Sequence, residues 1–424
     1  MLLHRSNGQL LNLNRELGGG GEGKIYTVVE DAALAAKIYH HPTPELAAKL
    51  RVMVAHPPED PMSGEGHVSI AWPVELLERG GQVVGFLMPK ASEVLPVHEF
   101  YNPKTRRDRC PFFNYLYLHR TARNLAAAVS SLHAFGYVVG DVNESNILVS
   151  KTALVTLVDT DSFQVKDRRS STLYPCPVGK PEFTPPELQG KPFRDLQRQP
   201  EHDRFGLAVL IFQLLMEGTH PFAGVYTGAG DPPPIEARIA AGHFPYGRRR
   251  VPYQPCPVAP AWDILPPNLR SLFIRCFEDG HRYPRVRPDA QTWVKAIDAA
   301  EHALVLCKAN PQHRYGDHLS RCPWCDRARI LQGRDPFPSQ HNAQRWKTLP
   351  PKPKPRIPTP KPQTAIPART TLSTPALYTP YLTPPSFWSE VARCKNDILA
   401  GSAVLLATIA GIVYWSGQSL NLQS

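Results

Sequence analysis

Cysteine is scarce in this chain, which has 8 cysteines in 424 residues. Five of them are scattered without regular spacing: Cys110, Cys176, Cys256, Cys276 and Cys394. A disulfide-stabilised fold needs a dense and ordered set of cysteines, so the sequence gives no sign of such a framework and is typical of a reducing compartment.

Two other patterns are missing as well. No stripe of basic residues interleaved with aromatics runs along the chain, so nucleic acid is not an expected partner in spite of a net charge of +11. The N-terminus has no signal-peptide pattern. Proline, by contrast, is abundant, with 46 residues, and it is concentrated after residue 335.

Three polar residues at a characteristic spacing are the most informative pattern. Asp141 and Asn146 are separated by four residues, and Asp159 follows Asn146 by thirteen. Phosphoryl transfer needs a carboxylate beside the attacking hydroxyl and hard oxygen ligands for a metal that neutralises the phosphates. The spacing resembles that of the catalytic residues of protein kinases, which implies ATP chemistry with Asp141 as the base and with Asn146 and Asp159 as ligands of Mg²⁺ or Mn²⁺.

A glycine-rich segment precedes these residues. Gly18, Gly20 and Gly23 form the pattern G-x-G-x-x-G, and Ile25 follows them. Glycines let a hairpin backbone close over phosphates without a Cβ in the way. Lys37 then lies in an apolar, strand-like run and resembles the strand lysine of the V-A-I-K motif, which implies that it holds the α- and β-phosphates.

Further motifs downstream identify a family. Residues 179–187 read GKPEFTPPE, similar to the end of a kinase activation loop, and Asp203 opens an apolar helix. The ordered motifs cover roughly residues 10–300 and resemble the bacterial eukaryotic-like serine/threonine protein kinases. The resemblance implies an α+β, bilobal protein-kinase-like fold, with a β-rich N-lobe at residues 1–90 and a helical C-lobe at residues 91–303.

The same resemblance implies roles for individual residues. Asp141 would orient and deprotonate a serine or threonine hydroxyl of a protein substrate, while Lys37 would position the phosphates. Glu187 and Arg287 would form a buried ion pair, and the backbone around Met88 would contact the adenine. Three more residues are implied in ATP binding: Ile25, Ala35 and Leu148.

Departures from the family pattern concentrate in the catalytic loop. Residues 139–146 read VGDVNESN, so the His, the Arg and the Lys of the usual H-R-D-[LI]-K-x-x-N are absent. The missing Arg normally meets a phosphate on the activation loop, so Gly140 predicts that phosphate-dependent ordering of this loop is weak or absent. Many-fold activation by phosphorylation at any of four hydroxyl residues would contradict this prediction: Ser162, Ser170, Ser171 and Thr172.

Two further departures leave alternatives open. Lys180 occupies a position that faces the catalytic loop in the family, so it either supplies the charge of the missing catalytic lysine or is an exposed loop lysine. Asp161 replaces the Gly of the usual D-F-G motif. We interpret Asp161 as facing solvent, with a second metal ligand as the alternative.

Residues 43–55 are predicted to form a helix. Thr43 suits the N-cap, Pro44 suits the first turn, and an apolar stripe includes Leu50 and Met53. Glu45 is the only acid of this helix. It either pairs with Lys37, as a helix glutamate does in the family, or is favoured there by the helix dipole alone.

Two other function classes remain open. Residues 140–146 also resemble the G-D-x-x-x-x-N loop of small-molecule phosphotransferases, which lack the segment ending at Glu187. A pseudokinase that acts as a nucleotide-binding scaffold is favoured by Asn143 and Asp161, but the intact base, metal ligands and strand lysine argue against it. The family resemblance also implies a metal-dependent protein phosphatase as a partner.

A cysteine and histidine cluster follows the kinase-like region, at residues 304–330. Cys307, His313, Cys322 and Cys325 would give a tetrahedral Cys₃His site for structural Zn²⁺. His318 is the alternative histidine, and a redox dithiol is the alternative function of the cysteines. So short a segment has little apolar mass, so the metal would supply its stability.

The C-terminal part of the sequence predicts a linker and a membrane anchor. Residues 331–390 are rich in proline and form a semi-stiff spacer. The uncharged run of residues 398–415 indicates one transmembrane helix, set at residues 396–416. Arg393 and Lys395 precede the run and neither Lys nor Arg follows it. The expected localisation is therefore a single-pass cell-membrane protein with a cytoplasmic kinase domain.

Overall fold

The computed structural model describes residues 2–339, and the chain begins with a closed antiparallel barrel. Six strands form the barrel: β1 (Leu2–Arg5), β2 (Leu10–Gly19), β3 (Gly23–Val28), β4 (Leu34–Tyr39), β5 (Glu75–Arg79) and β6 (Gln82–Pro89). Their order is β1-β2-β3-β4-β6-β5, and β1 pairs with both β2 and β5. The glycine-rich segment is thereby placed at the turn between β2 and β3.

Strand β1 closes the barrel. Its Leu3 is fully buried and shares an apolar core with Leu11 and Leu13 of β2. At the seam, Arg5 donates to Glu75 of β5 from Nε at 2.8 Å and from Nη2 at 2.5 Å. The predicted fold class needs correction here, because the motifs begin near residue 10. They indicated a β-rich lobe, but nothing in them indicated that an earlier strand closes it into a barrel.

The predicted helix after β4 is confirmed. Helix α1 spans Pro44–Ala55, and the Thr43 hydroxyl caps it by accepting from the N–H of Leu46 at 3.2 Å. One face of α1 is buried and includes Leu50 and Met53. The Nε1 of Trp72 donates to the Met53 carbonyl at 2.8 Å. This bond helps to fix the C-terminal end of α1 against the segment that leads into β5.

A mainly helical region follows the barrel. Its helices are α2 (His98–Tyr101), α3 (Pro103–Arg109), α4 (Tyr115–Phe135), α5 (Pro200–Leu215), α6 (Ile235–Ala240), α7 (Pro267–Ile274), α8 (Gly280–Arg282), α9 (Ala290–His302) and α10 (Pro323–Ile330). Its strands are β7 (Val94–Pro96), β8 (Ile147–Ser150), β9 (Val155–Leu157), β10 (Val165–Lys166), β11 (Leu173–Tyr174), β12 (Val225–Tyr226), β13 (Tyr253–Gln254), β14 (Leu304–Leu306) and β15 (Arg314–Gly316). Strands β7, β8 and β9 form a three-stranded sheet.

Helix α5 is buried on all sides. Every residue from Phe205 to Leu215 is buried, which is the pattern of a core helix and not of a surface helix. The expected ion pair between Glu187 and Arg287 is confirmed. Arg287 donates from its two terminal nitrogens to the two carboxylate oxygens of Glu187, both at 2.7 Å. Two parallel bonds of this kind fix both distance and orientation.

The cysteine-containing segment packs directly on the helical region. Trp324 of α10 is fully buried, with its ring 4.7 Å from the Tyr115 ring of α4 and 4.7 Å from the Phe337 ring. Arg327 of α10 pairs with the buried Glu217. The segment therefore shares a core with α4 and with the turn that follows α5.

The predicted membrane anchor also needs correction. Crossing a bilayer takes about 20 consecutive apolar residues in one helix. No helix within residues 2–339 has the necessary length and apolar character. The longest, α4, has 21 residues but includes Arg120 and Arg123. The transmembrane helix of the predicted fold class and the single-pass membrane localisation are thus contradicted. The run at 398–415 and most of the linker at 331–390 lie outside the described residues.

Candidate active site

Lys37 is the most highly connected charged residue of the site. It lies on β4, opposite Ile25 of β3 and Phe86 of β6, and its side chain is 7% exposed. Its Nζ donates to Asp159 Oδ1 at 2.8 Å and to Asp161 Oδ2 at 2.7 Å. Burial alone would lower the pKa of Lys37, but the two carboxylates raise that pKa above its ordinary value. Lys37 is therefore a stable ammonium.

Asp161 does not face solvent, so that interpretation was wrong. It is 4% exposed, and its Oδ2 accepts from the Tyr39 hydroxyl at 2.5 Å as well as from Lys37. Burial, followed by the charge of Asp161, raises the pKa of Tyr39 above its ordinary value, which keeps the hydroxyl a donor. Glu45 is exposed and makes no ion pair with Lys37. The second carboxylate partner of Lys37 is therefore Asp161, in the loop after β9.

Asp159 adopts an unusual backbone conformation. Its φ of 57° and ψ of 35° lie in the left-handed region, which Asp tolerates better than most residues. The Ser162 N–H and hydroxyl both donate to the Asp159 carbonyl, at 3.1 Å and 2.8 Å. These bonds hold a turn that directs one Asp159 oxygen to Lys37 and leaves the side chain 38% exposed.

The catalytic loop holds Asp141 and Asn146 together. Asn146 donates from Nδ2 to Asp141 Oδ2 at 3.1 Å, and the Asn146 carbonyl accepts from the N–H of Val158 at 3.0 Å. The loop is thus tied to the residue that precedes Asp159. Asp141 Oδ1 is buried and has no hydrogen-bond partner among the described residues. Burial raises the pKa of Asp141 above its ordinary value, as a proton acceptor for a hydroxyl would need.

Asp203, in the first turn of α5, holds the backbone of this loop. Its carboxylate accepts from the N–H of Val139 at 2.7 Å and from the N–H of Gly140 at 2.8 Å. His133 of α4 lies 2.9 Å from the same carboxylate. Buried helices therefore fix the backbone that carries Asp141.

Gly140 lies where a side chain has no room. Its φ is +74°, and a Cβ built there would come 2.6 Å from the Cβ of Cys176. The Arg198 guanidinium donates to the Gly140 carbonyl at 2.9 Å and to the Val178 carbonyl at 2.8 Å. Arg198 thus links the catalytic loop to residues 176–178 without a phosphate. This geometry agrees with weak phosphate dependence, which stays a prediction.

Lys180 reaches the catalytic loop. Its Nζ donates to Ser145 Oγ at 2.6 Å and to Glu144 Oε1 at 3.1 Å. Its charge also acts on Asp141, whose pKa it lowers as a smaller contribution than burial. The ammonium is therefore near the proposed base and is not an isolated surface charge.

The glycines of the β2–β3 turn differ in what surrounds them. A Cβ at Gly23 would lie 2.4 Å from the Ile38 carbonyl oxygen of β4, so only glycine fits there. Gly18 and Gly20 have open space at the Cβ position. His40 holds the turn, because its N–H donates to the Glu22 carbonyl at 2.9 Å. Strand packing thus requires Gly23, whereas Gly18 and Gly20 leave backbone accessible.

Four other residues predicted to bind ATP lie on four different strands. Ala35 of β4 and Met88 of β6 are cross-strand partners and both are buried. Ile25 of β3 is partly buried. Leu148 is partly buried on β8, two residues after Asn146. The structure thus brings Ala35 and Met88 together directly.

The cysteine segment forms a second candidate site. Cys307, His313, Cys322 and Cys325 have ligand atoms within 4.8 Å of one another. His313 Nδ1 is 3.5 Å from the sulfurs of Cys322 and Cys325, and the sulfurs of Cys307 and Cys325 are 3.6 Å apart. A tetrahedral zinc with Zn–S bonds of about 2.3 Å brings its sulfurs to about 3.8 Å, so the cluster is compatible with zinc.

Two more observations fit a metal at this cluster. His313 Nε2 lies 2.9 Å from Asp335, the arrangement by which a carboxylate orients a metal-binding imidazole. Burial would raise the pKa of Cys307, but the N–H groups of Ala309 and Asn310 lower that pKa to about 7, which favours the thiolate. His318 lies elsewhere, with Nε2 3.0 Å from the Asp263 carbonyl oxygen.

Sequence reasoning missed several residues of the two sites. Tyr39, Arg198 and Asp335 follow no motif, so no signal in the chain singled them out. Lys49 did have a signal. It is buried on α1, within the stripe of Leu46, Leu50 and Met53 at helical spacing, where a lysine is out of place.

The chain is similar to curated proteins that carry the name of a protein kinase. It is 39% identical over 328 residues to Protein kinase YegI of Escherichia coli strain K12, covering 76% of this chain and 49% of that protein. It is 38% identical over 331 residues to Protein kinase YegI of Escherichia coli O157:H7, covering 76% of this chain and 50% of that protein. The chain thus spans about half the length of the curated relatives it matches. No protein-family model matches it. The similarities support a bacterial protein-kinase-like protein in general terms.

Replacement of Gly140 by alanine tests how tightly the catalytic loop is packed. Gly140→Ala is expected to destabilise the protein by about 1–2 kcal/mol for the left-handed backbone and by about 1–3 kcal/mol more for the contact with Cys176. Gly190→Ala is the matched control, because Gly190 has a φ of +71° and open space at its Cβ. Chemical denaturation would measure both variants. Equal destabilisation would mean that Cys176 moves aside freely.

Metal analysis of the purified protein tests the zinc site. We expect about one zinc per chain, lost in His313→Ala and retained in His318→Ala. Because Trp324 packs on α4, loss of the metal is also expected to lower the melting temperature. Metal content by mass spectrometry and melting by calorimetry would decide this. Zinc retained in His313→Ala, or absent from the wild type, would contradict the assignment.

Proposed function

We propose that this chain is a protein kinase that transfers the γ-phosphate of Mg·ATP to serine or threonine hydroxyls of proteins. The observation that carries the proposal is the 2.8 Å contact between Lys37 Nζ and Asp159 Oδ1, made across 122 residues of sequence. Asn146 and Asp141 are linked to this pair through Val158. A phosphate-binding lysine, two metal ligands and a base are what phosphoryl transfer needs.

The chain's own residues suit each step of that reaction. Lys37 would hold the phosphates as a fixed ammonium, and Asn146 and Asp159 would hold the metal, which supplies positive charge to the phosphate oxygens. Asp141 would accept the proton of the attacking hydroxyl as the oxygen–phosphorus bond forms and the bond to the ADP oxygen breaks. Its partnerless, buried Oδ1 supports this role.

Three observations support a polypeptide acceptor over a small molecule. The segment at residues 179–187, which small-molecule phosphotransferases lack, is anchored at Glu187 by Arg287. Its other end contacts the catalytic loop through Lys180. The named relatives are protein kinases. A nucleotide-binding scaffold remains the competing function, since Asp161 occupies an ion pair that the family pattern does not contain.

A phosphotransfer assay on the full chain tests the proposal. With labelled ATP and Mg²⁺, we expect transfer to protein that falls at least about 100-fold in Asp141→Asn and Asp159→Asn. Asp195→Asn is the control, because Asp195 is exposed and lies outside the site. Mass spectrometry would identify the modified residue.

Lys180→Ala in the same assay should lower kcat about tenfold or more, whereas Lys191→Ala, at an exposed lysine, should not.

The outcomes separate the candidate functions. ATP binding that depends on Lys37, without any transfer, would support the scaffold. Label that appears only on added small-molecule acceptors would support a small-molecule phosphotransferase. Label on tyrosine would contradict the serine and threonine specificity. Unchanged turnover in Lys180→Ala would leave Lys180 as a loop residue without a catalytic role.

A further inference from the structure

The charges around Lys37 are arranged differently from the family pattern. In that pattern a glutamate of the helix after the lysine strand pairs with the lysine. Here the corresponding helix, α1, contributes no carboxylate to Lys37 among the described residues. The buried carboxylate comes from Asp161, which contacts Lys37 Nζ with both oxygens, at 2.8 Å and 2.7 Å.

Helix α1 presents a lysine on its buried face, whereas its only acid, Glu45, is exposed. Lys49 belongs to the buried face of α1 and is 6% exposed. Burial lowers the pKa of Lys49 below its ordinary value, and the charges of Asp161, Glu22 and Lys37 also act on its ammonium. Within residues 2–339 its ammonium makes no hydrogen bond or ion pair. A buried cation without a direct partner is costly unless a bound anion completes its surroundings.

We propose that Asp161 and Lys49 exchange the charges of the usual pair, so that Asp161 positions Lys37 while Lys49 supplies a second ammonium for the nucleotide's phosphates. The inference rests on the proposed function in one respect, namely that a nucleotide binds at this site. Asp161 is then a positioning residue and not a metal ligand, because Lys37 and Tyr39 already occupy its oxygens.

The arrangement explains why two unusual residues occur together. A lysine at position 49 alone would be repelled by the ammonium of Lys37, whose charge acts on it. An aspartate at position 161 alone would add a second buried carboxylate beside any acid of α1. Together, the two residues bring the buried charges nearer to balance, because Asp161 contacts Lys37 directly and its negative charge also acts on Lys49. Each substitution is therefore tolerable only in the presence of the other.

Binding measurements with three ligands test the role of Lys49. Titration calorimetry on the full chain would compare ATP, ADP and adenosine, with Mg²⁺ present. Lys49→Met should weaken ATP binding about tenfold and leave adenosine binding unchanged, and Lys49→Arg should retain most of the ATP affinity. Arg51→Met, on the exposed side of the same helix, is the control. Equal weakening of ATP and adenosine, or weakening of neither, would overturn the role of Lys49.

A charge-exchange variant tests the coupling. Lys49→Glu and Asp161→Gly should each weaken ATP binding, whereas the double variant places a glutamate on the buried face of α1 and restores the loop glycine. We expect the double variant to bind ATP about tenfold better than the weaker single variant, which is the non-additivity of residues that share one electrostatic partner. Losses that simply add in the double variant would overturn the exchange.

The kinase proposal and this inference fail in different ways. Wild-type protein that binds ATP but transfers no phosphate would contradict only the kinase proposal, because the binding measurements would still test Lys49 and Asp161. Wild-type protein that binds no ATP would overturn both. Transfer that survives in Lys49→Met with unchanged ATP affinity would overturn only the inference.

Discussion

The buried ammonium of Lys37 is the interaction on which the rest of the site depends. It joins a barrel strand to two carboxylates that lie 122 and 124 residues later in the chain. Breaking a buried pair by removal of one partner costs about 3–5 kcal/mol, because the remaining charge stays uncompensated. The barrel and the helical region therefore cannot separate at this point without exposing these charges to water. The ion pair thus fixes the position of Asp159 relative to the glycine turn that follows β2.

At residues 139 and 140, the catalytic loop is held through its backbone and not through its side chains. Asp203 accepts from the backbone N–H groups of Val139 and Gly140, and Arg198 donates to the Gly140 carbonyl. These bonds are the same whatever side chain stands at position 139. They allow the His and Arg of the usual motif to be absent while Asp141 keeps its place. Cys176 fills the space that an arginine side chain at position 140 would need. The guanidinium next to the loop belongs to Arg198, which donates to the Gly140 carbonyl.

Motif spacing predicted the residues that the chain brings together across long distances, and local helix signals predicted α1 with its Thr43 cap. The Glu187–Arg287 pair also followed from family resemblance. Strand β1 could not be predicted, because four residues before the first motif carry too little pattern. Asp161 was misjudged and Lys49 was missed for a different reason. Motif comparison treats each position alone. The missing helix glutamate and the aspartate in place of the loop glycine therefore look like two unrelated departures from the family pattern. Only the contact between Lys37 and Asp161 in the structure reveals that the loop aspartate takes the place of a helix glutamate.

The cysteine segment is joined to the helical region through buried charge. Arg106 of α3 is fully buried and donates to Glu217 Oε1 at 3.1 Å, while Arg327 of α10 pairs with the other oxygen. A buried carboxylate with one of its two cations removed would be under-compensated. Because Arg327 comes from the cysteine segment, that segment is needed to complete the charge balance beneath the turn after α5. A metal bound by the four-residue cluster would therefore support the helical region through packing and charge.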